Sequence, residues 1–116
     1  MAGEDVVEKV RRFLKEFRRI EPEAGKAFLQ LVRATGSLSI GAKTAELVAL
    51  GIAIAAGCEY CVRVHARRAL EEGASCRELF DVAAVAILMR GGPALQLASL
   101  LLDFCGEEGQ AVNTGQ

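Results

Sequence analysis

Between Asp5 and Ile20 the apolar residues Val6, Val7, Val10, Phe13, Leu14, Phe17 and Ile20 recur three and four apart, with charges filling the other positions. This spacing predicts an amphipathic helix, supported by Asp5/Lys9 and Glu8/Arg12 pairs one turn apart, each worth about 0.3 kcal/mol. Pro22 fits the first turn of a second helix whose inner face holds Ala24, Ala27, Phe28, Leu31 and Val32 and which Gly36 ends. Residues 36–42 carry turn formers and little periodicity, so they read as a connector. A third helix is expected over Lys43–Ala56, where Leu47, Val48, Leu50, Ile52 and Ile54 point in several directions and imply burial nearly all round. Gly57 ends it, and a fourth helix runs from Cys58 or just before to Glu72, with Arg63, Arg67, Arg68, Glu71 and Glu72 on its wet side. Ser75-Cys-Arg-Glu78 is a capping-box pattern for a fifth helix reaching Arg90. Gly91-Gly92-Pro93 breaks the chain and opens a sixth to Phe104.

No stretch alternates with period two between strand boundaries, so the expected fold is all-α, a single-domain bundle of about six helices. Residues 1–35 are read as N-terminal helices packing on a core of residues 36–105, with 106–116 a polar, flexible tail. The helices over 44–56, 82–89 and 94–104 are apolar on more than one face. A chain of 116 residues can hardly bury all of that surface alone, which points to a homo-oligomer.

Composition narrows the partners. A net charge of −1 with interleaved acids and bases gives no electrostatic reason for binding nucleic acid or an anionic membrane. The longest nearly continuous apolar run, Leu47 to Cys58, is shorter than the roughly 20 residues a bilayer span needs. Met-Ala-Gly-Glu-Asp lacks the pattern of a secretory signal, so a cytoplasmic protein is expected. In that compartment four cysteines suit catalysis, metal binding or burial better than a disulfide framework. Cys58 and Cys61 form a CxxC pair, whereas Cys76 and Cys105 stand alone and read as small buried hydrophobes.

The chemistry gathers between Glu46 and His65. At positions i and i+3 of a helix two thiols are neighbours about 5–6 Å apart, within reach of a disulfide. A helix N-terminus, where Gly57 places them, favours a thiolate. His65, the only histidine, lies four residues after Cys61 and seven after Cys58 and shares their face. Because helical side chains lean toward the N-terminus, its ring is aimed back at Cys61, a pairing that activates sulfur nucleophiles. Twelve residues of helix span about 18 Å, so Glu46 on the third helix meets the fourth near His65, where it orients the ring and accepts a proton. Tyr60 either packs or donates to the site. Cys58, Cys61, His65 and Glu46 also number four zinc ligands, but three from one helix face is an unusual zinc arrangement, and no metal or other cofactor is expected. A thioredoxin-like site is disfavoured because both flanks of the CxxC are helical.

The run Glu46-x11-Cys58-x-Tyr60-Cys61-x3-His65, followed by Ala69-Leu70, Gly73-Ala-Ser75 and Glu78, resembles the carboxymuconolactone decarboxylase/AhpD-like family, in particular its alkylhydroperoxidase branch. The resemblance covers residues 34–104. It implies an all-helical subunit assembling into trimers or hexamers, and a peroxidase that reduces hydroperoxides at the expense of an external dithiol or redox protein. It makes Cys61 the attacking thiol, Cys58 the resolving thiol, and His65 with Glu46 the proton relay. The best-described peroxidases of that branch carry histidine where this chain has Tyr60, a poorer base near neutral pH. A general thiol–disulfide oxidoreductase and a non-redox lyase of the decarboxylase type are the alternatives.

Overall fold

Residues 2–106 are described by the computed structural model, and the side chains from Val6 onward. As the periodicity requires, these residues form helices and turns without a strand: α1 (Ala2–Ile20), α2 (Pro22–Ala34), α3 (Ala42–Ala56), α4 (Glu59–Glu71), α5 (Cys76–Arg90), α6 (Pro93–Ala98) and α7 (Leu102–Cys105). The expected sixth helix is therefore one helical run whose middle tightens into a 3-10 turn at Ser99–Leu101. There the Ser99 hydroxyl donates to the Gln96 carbonyl at 2.6 Å, competing for a group the regular ladder would use. A second 3-10 turn, Thr35–Ser37, leads out of α2. The tail expected over 106–116 lies, apart from Gly106, outside the described residues.

Burial explains the arrangement. Leu50 and Ile54 of α3, Val62 of α4, Leu79 of α5 and Leu101 are sealed from solvent, each worth about 1.5–3 kcal/mol of transfer free energy. Between them lie Ala53, Ala66, Ala69, Ala83, Ala86 and Ala94, whose small side chains let α3 pack closely along both α4 and α5. Helix α1 packs on α2 and α4. Gly25 sits at the α1–α2 approach, where a Cβ would come within 2.9 Å of the Arg18 Cα.

Polar contacts fix the helix ends. The capping box forms as expected, with Glu78 N–H donating to Ser75 Oγ and Ser75 N–H to Glu78 Oε1, both at 3.0 Å. Lys43 Nζ donates to Glu78 Oε2 at 3.2 Å, tying the start of α3 to the start of α5. At the opposite end Arg90 Nε donates to the Ala55 carbonyl, one of the last of α3.

Four expectations need correction. Glu8 pairs with Arg11, three residues on, rather than with Arg12. Arg63 is not on a wet face: its side chain is 17% exposed, the 3-10 turn at Ser99–Leu101 packs against α4, and Asp103 of the following α7 meets Arg63 at 2.8 Å. Within one chain helix α3 is not covered all round, since Val48 and Ile52 are more than half exposed, as are Val85, Leu88 and Met89 of α5. These helices border an almost wholly apolar groove of about 410 Å³. Finally, Cys76 and Cys105 are buried as expected but do not stand alone. The fold brings the start of α5 to the end of α7, and the two cysteines form a disulfide with Cα atoms 5.9 Å apart.

Candidate functional site

The α3–α4 connection creates the site. Gly57 takes the left-handed conformation (φ 82°), which lets its N–H and that of Cys58 both donate to the Ala53 carbonyl and ends α3 within one residue. The chain re-enters helix at once, with Cys58 extended as the N-cap of α4 and its Sγ accepting the Cys61 N–H at 3.1 Å. A cysteine thus occupies the place that serine or aspartate usually fills. Cys58 and Cys61 are disulfide-bonded, with Cα atoms 5.2 Å apart, and both are partly exposed.

The sharp turn lays α3 along α4, so Glu46 near the start of α3 meets α4 at His65, as the helix length requires. Glu46 Oε1 and His65 Nδ1 are 2.6 Å apart, and both side chains are largely but not fully buried. An ionised carboxylate only accepts, so opposite one a neutral ring carries its proton on Nδ1, and Nε2 is then the atom that can take up a proton. His65 is one helical turn after Cys61 and therefore on the disulfide's side of α4.

Both members of this pair line a cavity of about 430 Å³ whose remaining wall is mainly apolar, with Phe28, Leu31, Ile40 and Ile52 among its residues. Arg68 lines it too. Arg68 is exposed, as expected, and its position three after His65 puts it on the same side of α4 as that ring. Tyr60 is not brought to this cavity. It lines another of about 330 Å³ between α1 and α4, with Val7, Leu14 and Arg67, and Arg68 borders both. Position 60 is one residue from Cys61, hence about 100° around the helix, which turns its ring toward α1.

The sequence reading also missed the contacts of Arg63. It joins Glu59 in the first turn of α4 (3.2 Å) to Asp103 of α7 (2.8 Å). Burial alone would lower its pKa, but the hydrogen bonds to Asp103 and Glu59 outweigh this and raise it. Among the described residues no three His, Cys, Asp or Glu side chains converge as a metal-binding group. Cys58 and Cys61 are engaged with each other and Glu46 with His65, so the arrangement is that of a disulfide beside a carboxylate–imidazole pair.

Residues 22–103 match the model of the carboxymuconolactone decarboxylase family. A relative in Cupriavidus necator, an uncharacterized protein, is 36% identical over 85 residues, which are 72% of this chain and 75% of that one. A crystal structure of a carboxymuconolactone decarboxylase family protein from Legionella pneumophila, in its apo form, superposes with a TM-score of 0.82 at 28% identity. The match spans 88% of this chain and 92% of the other.

Proposed function

The chain belongs to the carboxymuconolactone decarboxylase family, and within it we propose a thiol-dependent peroxidase of the alkylhydroperoxidase type. The observation that carries this reading is the Glu46–His65 bond one helical turn from a joined Cys58–Cys61 pair. In the reduced enzyme, His65 Nε2 takes the proton of Cys61, and Glu46 stabilises the imidazolium that forms. The Cys61 thiolate attacks the terminal oxygen of a hydroperoxide. The O–O bond breaks, Cys61 becomes a sulfenic acid, and the alkoxide leaves as an alcohol after taking up a proton. Cys58 then attacks the Cys61 sulfur, releasing water and forming the disulfide. An external dithiol reduces that disulfide, so one hydroperoxide consumes one dithiol.

Helix geometry assists the resolving step, because the Cys61 N–H that meets Cys58 Sγ also favours a Cys58 thiolate. On the same reading the subunits assemble as a trimer or hexamer, which would cover the apolar groove on α3 and α5. The test is turnover of tert-butyl hydroperoxide with dithiothreitol as reductant, corrected for the uncatalysed rate. Peroxide loss that requires Cys61 supports the proposal. A lactone decarboxylation that survives the Cys58→Ser/Cys61→Ser change, with no peroxide loss in the parent, overturns it.

A further inference from the structure

A second sulfur pair lies outside the candidate site. Cys76 opens α5 and Cys105 closes α7, they are bonded to each other, and they are 4% and 0% exposed. The proposed peroxidase cycle uses neither. We infer that the Cys76–Cys105 bond is a structural clamp on the C-terminal helical run that stays closed while the Cys58–Cys61 couple opens and closes. This inference does not depend on what the Cys58–Cys61 couple acts on.

Access separates the two bonds. Thiol–disulfide exchange requires a thiolate to reach a sulfur atom. Cys58 and Cys61 are partly exposed at a helix start. Cys76 and Cys105 lie inside the core cluster with Leu79 and Leu101, where an incoming thiolate would also have to shed its water.

Position supplies the reason for a clamp. Helix α7 has four residues and follows a 3-10 turn, far too short to hold itself together. The cross-link spans 29 residues and anchors the last turn of α7 to the first turn of α5, which the capping box already fixes. Asp103, two residues before Cys105, holds Arg63, and Arg63 holds Glu59 in the first turn of α4. Securing α7 therefore secures a partner of the helix that carries Cys61. Closing the bond takes two protons and two electrons from the thiols. With oxidised glutathione as acceptor, two protein thiols and one small disulfide give the protein disulfide and two molecules of reduced glutathione.

The test uses the Cys58→Ser/Cys61→Ser double variant, so its outcome is independent of peroxidase chemistry. After exposure to oxidised glutathione and removal of the excess, the unfolded variant should titrate no thiols and carry no bound glutathione by mass; two thiols, or glutathione adducts on Cys76 and Cys105, overturn the inference. Full reduction should then lower its Tm by roughly 10 °C or prevent refolding, and an unchanged Tm overturns the clamp. In the folded parent protein, limiting dithiothreitol followed by timed alkylation and peptide mapping should label Cys58 and Cys61 at least about tenfold faster than Cys76 and Cys105. Equal rates would show that the second bond is not protected.

Discussion

His65 Nδ1 and Glu46 Oε1 stand 2.6 Å apart across two consecutive helices, although nineteen residues separate them in sequence. The bond fixes the orientation of the imidazole, and on the proposed function it places a negative charge where an imidazolium forms as a thiol gives up its proton. Glu46→Gln keeps the size and an acceptor oxygen but removes the charge. On the proposed function, kcat/KM for tert-butyl hydroperoxide should fall about 10²-fold while the Tm changes little. Steady-state turnover of the variant and the parent across a range of pH checks this, and an unchanged profile would remove Glu46 from the relay.

Gly57 is the backbone hinge that puts Cys58 at a helix start. Its φ of 82° suits residues without a Cβ, and no side chain crowds the position, so a substitution there acts through backbone strain alone. Gly57→Ala should cost about 1 kcal/mol. Urea denaturation of the two proteins at equal redox state measures the difference. An alanine that costs nothing would show that the turn relaxes to another conformation.

The pH dependence of stability should carry a contribution from Glu78. The Ser75 N–H and then Lys43 hold its carboxyl below the usual range, with burial opposing them. A depressed folded-state pKa stabilises the fold above the unfolded value of about 4.3, and this stabilisation is lost as pH falls through the lower folded value. Because the side chain is 39% exposed, the contribution should stay under about 1 kcal/mol. Glu78→Gln should therefore lose less stability than the parent between pH 7 and pH 3 in chemical denaturation. An equal loss would assign the acid sensitivity to other carboxylates.

On the proposed assembly, a charge in the apolar groove should break it. Val85 is 61% exposed beside Ile52 and Met89. In Val85→Glu the molar mass by light scattering should fall toward that of one chain, because a desolvated, unpaired carboxylate costs several kcal/mol. A parent protein already at 12.3 kDa would contradict the assembly.

Much of this was legible from sequence because local signals agreed with the fold. The heptad-like spacing of α1, Gly57 and the Ser75/Glu78 box each specify a boundary from a few neighbouring residues, and the structure has each of them. The Glu46–His65 encounter was legible too, since a tight turn and the rise of a helix leave little freedom. The Cys76–Cys105 bond and the Arg63–Asp103 pair were not. Each depends on where α7 returns across the bundle, 29 and 40 residues along the chain, and helical periodicity says nothing about that. Tyr60 was left between packing and catalysis because its direction depends on α1, whose docking position the apolar stripe alone does not fix.

The central claim is that Cys61 attacks a hydroperoxide. It is tested most directly in Cys58→Ser, which removes the resolving thiol and so leaves the first oxidised state with no partner at position 58. Reduced variant should be mixed with one equivalent of tert-butyl hydroperoxide in the presence of a sulfenic-acid trapping reagent and then mapped by mass spectrometry. The account predicts an adduct on Cys61 and none on Cys76 or Cys105. An unmodified Cys61, in a protein shown to be folded, would contradict it.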